Sequence, residues 1–296
     1  MRIGFITQLL WSRYGEFWRR LIVGAGSEAH LPERERVLKA MNDPRLNRVS
    51  SLAFRLAAAQ ALALADSDLI VAPDLNPEEG ATKGSAQDPW IADFPEALAA
   101  EVGGLPPILA VPAKLEPAIE ALAIRTLHRI IHDPAAVRRV WERHKGTLPA
   151  FAATRRPGAR GDTQADTAVI GQPWLLSDTL LEHLSQEYPK LISQHAIEPI
   201  RLQGEGRRFD QRLVATDSEV IGAARLFARR GSVARLVMVV DEASGADAWL
   251  VRQLRRSIRK PLEIRPLTSF PAPELWLGVT AEDAAGDGWQ RTNQAD

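Results

Sequence analysis

The sequence contains no cysteine among its 296 residues. Thiolates are the usual protein ligands of iron–sulfur clusters and of many structural zinc sites, and oxygen ligands hold soft metals far more weakly. The absence therefore argues against soft-metal chemistry and excludes disulfides. We accordingly expect neither a cofactor nor a bound metal.

Long hydrophobic runs and an excess charge of one sign are also absent. No apolar run approaches the ~18 residues that a bilayer-spanning helix needs, and charged residues such as Arg13 and Glu16 interrupt the apolar N-terminal region. Lys plus Arg and Asp plus Glu both number 37, so no overall field favours nucleic acid or an anionic membrane. We expect a cytoplasmic protein that binds neither nucleic acid nor a membrane.

Apolar runs of strand length alternate with segments of helical periodicity along most of the chain. This alternation predicts the α/β class, with two Rossmann-like (flavodoxin-like) parallel-sheet domains that carry helices on both faces. The predicted strands are 2–10, 68–73, 107–111, 167–171, 197–201, 234–240 and 262–266.

A segment rich in Arg, Gly, Pro and Thr at 153–164 separates the two predicted domains. The N-terminal domain spans 1–152 and includes a long helical segment at 116–145, which Pro134 interrupts. The C-terminal domain spans 165–280. The polar, Gly-containing residues 281–296 are predicted to be a loose tail.

Loops that follow strands are the first places to search for a site, because ligands of open parallel sheets bind beyond the carboxyl ends of the strands. None of these loops carries a glycine-rich phosphate motif, which argues against dinucleotide and P-loop nucleotide binding. His128 and His132 stand four residues apart on a predicted helix, yet two ligands alone do not complete a zinc site.

The basic stretch 138–160, which includes Trp141, could contact phosphate, but a solvated helix face followed by a charged linker is the favoured interpretation. Docking between subunits is a second use of this stretch. Trp11, Trp18 and Trp90 are candidates for lining a partner surface.

Several segments have a recognisable order. These are the opening RIGFITQLLWSRYGEFWRRLIVGAGSEAHL, then SLAFRLAAAQALALADSDLIVAPDL, DPWIADFPEAL, AVIGQPWLLSDTLLEHL and VMVVDEASGADAWLVRQLRRSIRKPLEI. In this order and spacing the chain resembles the activase-related members of the 2-hydroxyacyl-CoA dehydratase subunit superfamily over most of residues 1–266. Against the family's pattern, Ser51, Asp88 and Ser244 stand at its three cysteines.

The resemblance extends to neighbouring positions. Arg55 stands at a family lysine, Gln60 and Gln172 stand at histidines, and Trp174 stands at a tyrosine. Residues of the pattern that are retained include Pro89, Gly171, Pro173, Asp178, Gly245 and Asp247. In the family the three cysteines hold an iron–sulfur cluster for one-electron chemistry, often on acyl-CoA thioesters. The resemblance thus implies the family's fold without its reactive centre.

Three hypotheses follow. The favoured one is a cluster-free homologue that acts as a non-catalytic binding or assembly protein, with an interdomain cleft for a small molecule or a partner subunit. The first alternative is an enzyme that reuses the cleft for polar chemistry on a small, acyl-CoA-like ligand, with Asp88 beside Arg55 as a base or an anion clamp. The second alternative is an unrelated two-domain solute-binding protein. Association into a homo-oligomer is left open.

The alignment with the family and the reused-cleft alternative make a geometric prediction. Ser51, Asp88 and Ser244 should lie within about 10 Å of one another, as residues that share one ligand do. The residues expected to surround that ligand are Arg55, Gln60, Pro89, Gln172, Trp174, Asp178, Gly245 and Asp247.

Overall fold

The first four strands form one all-parallel sheet in the order β2-β1-β3-β4. The structure is a computed structural model that describes residues 1–75, 88–113, 115, 119–148, 164–270, 276–278 and 280–286, with side chains through 283. The strands are β1 (Arg2–Phe5), β2 (Glu28–His30), β3 (Leu69–Asp74) and β4 (Ile108–Pro112). Gly4 of the central β1 lies between His30 and Ile70 of its neighbours.

Helices surround this sheet and complete what we call the N-terminal lobe. They are α1 (Trp11–Gly24), α2 (Arg34–Ala40), α3 (Leu52–Ala63), α4 (Pro89–Ala92), α5 (Phe94–Glu101), α6 (Glu120–His128) and α7 (Pro134–His144), with 3-10 turns at Pro44–Arg48 and Lys145–Thr147. Nearly every side of α3 is buried. Its Ala- and Leu-rich sequence explains this, because a helix that is apolar all round belongs in a core.

The second group of four strands forms another all-parallel sheet, in the equivalent order β6-β5-β7-β8. The strands are β5 (Thr167–Gly171), β6 (Leu191–Ser193), β7 (Arg235–Val240) and β8 (Leu262–Pro266). The flanking helices are α8 (Asp178–Glu187), α9 (Pro199–Arg207), α10 (Ala215–Arg229) and α11 (Gly245–Ser257), with 3-10 turns at Gln194–Ala196 and Leu267–Ser269. These elements form the C-terminal lobe.

The two sheets confirm the predicted fold class, because both are four-stranded, parallel and flanked by helices in a Rossmann-like manner. The order 2-1-3-4, repeated in both lobes, is the flavodoxin-like one. Among the described residues, no helix combines the length and the apolar character that crossing a membrane demands.

The core continues from one lobe into the other. Side chains alternate between the two faces of a strand, so Ala168 and Ile170 of β5 pack beneath the C-terminal lobe's own helices. Val169 points to the opposite face and joins a larger cluster that extends through the N-terminal lobe and includes Trp174 and Trp276.

One predicted strand is wrong. Residues 197–201 do not form a strand, because Pro199 begins α9, where the missing N–H of proline is tolerated. The strand at this place in the topology is β6, which has only three residues and lies upstream of the predicted span.

The chain returns to the N-terminal lobe near its end. Residues 281–286, expected to be loose, form the short helix α12. The backbone N–H of Ala281 donates to the Pro32 carbonyl at 3.1 Å, and Arg34 pairs with Asp283 at 3.0 Å. The remainder of that tail, from 287, and all of the predicted boundary segment except Gln164 lie outside the described residues.

Candidate functional site

The carboxyl edges of the two sheets meet at one place in the molecule. In each sheet, the connections that follow the two central strands run towards opposite edges of the sheet. Open α/β sheets bind ligands at the point between two such strands. In the C-terminal lobe Gln172 and Asp241 are the first residues after these two strands. Both side chains are buried.

Ser51 caps the N-terminus of α3 and contacts the C-terminal lobe. Its Oγ accepts from the N–H of Phe54 at 3.4 Å and donates to Oδ2 of Asp241 at 2.9 Å. The same carboxylate oxygen accepts from the N–H of Leu52 at 2.7 Å. A carboxylate of one lobe therefore caps a helix of the other.

Asp88 makes the mirror-image contact. Its Oδ2 accepts from Oγ of Ser244 at 2.7 Å, and its Oδ1 accepts from the N–H of Gly245 at 2.9 Å. Ser244 and Gly245 begin α11 of the C-terminal lobe. A helix N-terminus offers unpaired N–H groups and a partial positive charge, both of which stabilise a carboxylate. We call the two pairs Ser51–Asp241 and Ser244–Asp88 the reciprocal caps.

Asp247 lies one turn into α11, directly behind the caps, and its side chain is 1% exposed. Its N–H donates to Oγ of Ser244 at 3.1 Å, and its Oδ2 accepts from the N–H of Asp241 at 2.7 Å. Burial raises the pKa of the Asp247 carboxyl well above its ordinary value, and the nearby carboxylates of Asp241, Asp217 and Asp88 add to the rise. The hydrogen bond from the Asp241 N–H opposes it.

Gln172 and Asp217 extend the polar interior of the site. The Gln172 amide nitrogen Nε2 donates to Oδ1 of Asp217 at 2.7 Å, and the two side chains are 2% and 0% exposed. We call Asp88, Asp217, Asp241 and Asp247 the acid cluster. Among the described residues, buried Oε1 of Gln172 and Oδ1 of Asp247 have no hydrogen-bond partner.

Aromatic rings close the space beside the caps. The ring centroids of Trp90 and Trp174, one from each lobe, are 5.6 Å apart, and Phe54 lies 5.6 Å from Trp90. Both tryptophans are buried. Trp174, like Gln172, therefore lies at the junction between the lobes.

A buried ion pair joins the lobes on another side of the site. The Arg13 guanidinium, from α1, donates to both carboxylate oxygens of Glu219, on α10, at 2.8 and 2.7 Å. Gln203 Nε2 donates to the same carboxylate at 2.9 Å. The two exposed fractions, 11% and 1%, place this pair out of bulk solvent.

The structure brings Ser51, Asp88 and Ser244 together through Asp241 and Asp247, and it places Gly245 in the same group. Pro89 is exposed at the start of α4, and Asp178 is exposed in the first turn of α8. No metal site forms within the described parts of the chain, where no three His, Asp or Glu side chains are suitably grouped.

The predicted pairing of Arg55 with Asp88 is wrong. The Arg55 guanidinium donates to the Met41 carbonyl at 2.8 Å, inside its own lobe. Asp88 instead finds its donors on α11, because the helix N-terminus offers an N–H and a hydroxyl side by side.

Gln60 is a structural residue of the N-terminal lobe. Its Oε1 accepts from the N–H groups of Thr7 at 2.8 Å and Gln8 at 3.1 Å, and its Nε2 donates to Oγ1 of Thr7 at 3.0 Å. The loop that it holds leaves the carboxyl end of β1. Leu9 and Leu10 there have φ of 56° and 72°, a conformation that non-glycine residues adopt at an energetic cost.

The remaining sequence candidates lie elsewhere. α6 ends at His128, so His132 does not share a helix with it. Three basic side chains of the 138–160 stretch, Arg138, Arg139 and Lys145, form exposed ion pairs with Glu120, Asp133 and Glu142, as on a solvated helix face. Trp11, Trp18 and Trp90 are buried, so they do not line a surface.

Sequence reasoning missed Asp217, Asp241 and the pair of Arg13 with Glu219. Asp241 had a signal, since it is the first residue after a buried strand that ends at the ligand-binding edge. Asp217 had none, because an acidic residue in the first turn of a helix is ordinary. Compared with known proteins, the chain matches no family model, no curated protein and no solved structure.

Proposed function

We propose that the protein binds a small polar molecule between its two lobes, at the acid cluster and the reciprocal caps. The observation that carries the proposal is that each lobe supplies a carboxylate to a helix N-terminus of the other, at the carboxyl edges of both sheets. This edge is where open parallel sheets bind ligands. The site is buried, so a ligand enters when the lobes separate.

The family resemblance supports the same proposal. Ser51, Asp88 and Ser244 were aligned with three cysteines that share one ligand, and all three contribute to the reciprocal caps. We infer a cluster-free relative of 2-hydroxyacyl-CoA dehydratase subunits, since oxygen side chains do not replace thiolates as ligands of such a cluster. Binding at this edge is equally expected of an unrelated two-lobed solute-binding protein.

The absence of cysteine makes a direct experiment simple. Two exposed positions, Glu101 in the N-terminal lobe and Ser257 in the C-terminal lobe, are changed to cysteine and spin-labelled. A panel of amines, polyols, carboxylates and phosphate esters is first screened for a rise in Tm. We expect a ligand that raises Tm also to narrow the distance distribution between the labels.

The matched control carries Ser51→Ala and Ser244→Ala, which remove the hydroxyls of both caps. We expect the ligand to narrow the distance distribution between the labels less in this variant than in the labelled protein without these two substitutions. The binding proposal is wrong if no member of the panel changes either Tm or the distance distribution of the wild-type lobes.

A second candidate function is acid–base catalysis on the bound molecule. The observation that favours it is the buried carboxyl of Asp247, whose raised pKa keeps a proton available as a catalytic acid requires. The test follows the ligand found above by NMR during incubation with the wild type and with Asp247→Asn. Turnover that the variant loses supports an enzyme, and an unchanged ligand in both samples rejects one.

A further inference from the structure

Two buried oxygens at the acid cluster have hydrogen-bonding capacity left over. Within the described residues, Oδ1 of Asp247 and Oε1 of Gln172 are buried oxygens without a hydrogen-bond partner. A buried polar atom that lacks a partner destabilises the site, and a donor group on a ligand can supply the missing partner. The amide oxygen Oε1 of Gln172 only accepts, and Oδ1 of Asp247 becomes an acceptor when its carboxyl releases its proton, so a ligand that donates hydrogen bonds suits both.

The acid cluster contains charges of one sign only. Among the described residues, none of Asp88, Asp241 and Asp247 forms an ion pair with arginine or lysine. Helix N-termini compensate Asp88 and Asp241 in part, but they leave the Asp247 carboxyl surrounded by other carboxylates. Closely spaced carboxylates in a buried site repel an anionic ligand and attract a cationic one.

The tryptophans beside the cluster suit the same ligand. The rings of Trp90 and Trp174 pack at an interplanar angle of 57° at the junction of the lobes, and an indole face attracts an organic cation through its quadrupole. A metal ion is not favoured, because no suitable group of three ligands exists in the described parts of the chain.

We propose that the ligand is a small organic cation, an amine or guanidine, held by the acid cluster beside Trp90 and Trp174. This inference rests on the proposed function, because it names the class of ligand for the same site. Its ammonium or guanidinium group donates to Oε1 of Gln172 and to Oδ1 of Asp247, whose carboxyl releases its proton to solvent when the cation binds. The proposed ligand differs from acyl-CoA in charge, because acyl-CoA is anionic.

Four-carbon probes that differ in charge give the test. Putrescine and agmatine carry cationic groups, 1,4-butanediol is neutral, and succinate is a dianion. Isothermal titration calorimetry is run with each on the full chain, and the label distance described above is measured in the same solutions. We expect saturable binding and lobe closure with an amine, and neither with succinate.

Variants localise the binding. Asp247→Asn and Asp88→Asn should each weaken amine binding about tenfold or more, because each removes a negative charge of the acid cluster from the complex. Asp88 is only partly buried, so its variant tests the inference independently of the buried Asp247. The control Asp210→Asn removes a partly exposed carboxylate, which pairs with Arg212 away from the acid cluster, and should change the affinity by less than about twofold.

The outcomes separate the two proposals. If succinate or 1,4-butanediol binds and closes the lobes while both amines are inert, the cationic ligand is wrong and the interlobe binding site stands. If both amines bind equally well to the wild type and to both site variants, their binding lies elsewhere and the inference fails. If neither these probes nor any member of the larger panel binds, both proposals fail.

Discussion

Asp247 carries a carboxyl group that the fold holds away from water and beside three other carboxylates. Its pKa is raised, mainly by burial, so the folded state retains a proton that the unfolded chain releases near the ordinary carboxyl pKa. Between these two pKa values the folded state binds more protons than the unfolded state. Raising the pH through that window therefore lowers the free energy of unfolding, by at most about 1.4 kcal/mol per pH unit for one group.

Asp247→Asn should remove this dependence. An asparagine amide oxygen can still accept from the Asp241 N–H and carries no charge to bury. We expect the variant to unfold at higher denaturant concentration than the wild type at pH 8, with a difference that shrinks towards pH 4. Chemical denaturation across this range checks it, and a difference that is constant with pH would contradict the account.

The ion pair of Arg13 with Glu219 is a second contact whose contribution to stability can be tested by changing single residues. Removing one partner of a buried ion pair leaves the other charge without compensation, at a cost of about 3–5 kcal/mol. We expect Arg13→Met to lower the free energy of unfolding by about that amount. The double variant Arg13→Met with Glu219→Leu should recover most of the loss, and equal stability of the single and double variants would show that the charge is not buried as described.

At the scale of elements, the first turn of α10 depends on how closely α9 approaches. A Cβ added at Gly222 of α10 would lie 2.0 Å from the Leu202 carbonyl oxygen, and one added at Gly206 of α9 would lie 2.0 Å from that of Ser218. Two helix backbones therefore touch at glycines. This contact positions the first turn of α10, which carries Asp217 and Glu219 into the site.

Gly222→Ala should force the two helices apart. Because the obstacle is backbone and cannot rotate away, we expect a loss of about 3 kcal/mol in the free energy of unfolding. Gly204→Ala on α9, where a Cβ meets open space, is the control and should be neutral or slightly stabilising. Thermal or chemical unfolding of both variants checks this, and similar effects at the two positions would contradict the close packing.

Most elements were predictable because their local pattern and tertiary role agree. β5 and β8 have the predicted bounds, since their ends coincide with a glycine and a proline. β6 was not predictable, because three residues carry no period, and its pairing with β5 decides its conformation. The helix α4 was not predicted either, because its four residues are too few to show a helical period.

The site was predictable only in part. The hydroxyl of Ser51 could be assigned to a helix cap from sequence, but its partner Asp241 is 190 positions away. Only the packing of one lobe on the other brings them together. Arg55 shows the opposite case, in which a long side chain reached a carbonyl of its own lobe rather than the more distant Asp88.

At the scale of the whole molecule, the lobes share both a core and a polar junction. The larger apolar cluster crosses from one sheet to the other, and Gln8 of the β1 exit loop donates to the Trp276 carbonyl of the returning chain. The reciprocal caps add hydrogen bonds between specific residues of the two lobes to this apolar contact. They define how the two carboxyl edges align, and so they define the site.

Hydrogen exchange at two backbone amides tests this alignment most directly. The N–H groups of Leu52 and Gly245 are the first of α3 and α11, and such amides have no partner within their own helix. They are therefore protected only by the carboxylate of the opposite lobe, Asp241 for Leu52 and Asp88 for Gly245.

The measurement is amide exchange by NMR on the wild type, on Asp241→Ala and on Asp88→Ala. We predict slow exchange at both amides in the wild type, with Leu52 losing protection in the first variant and Gly245 in the second. Fast exchange at both amides in the wild type would contradict the reciprocal caps, and with them the interlobe site.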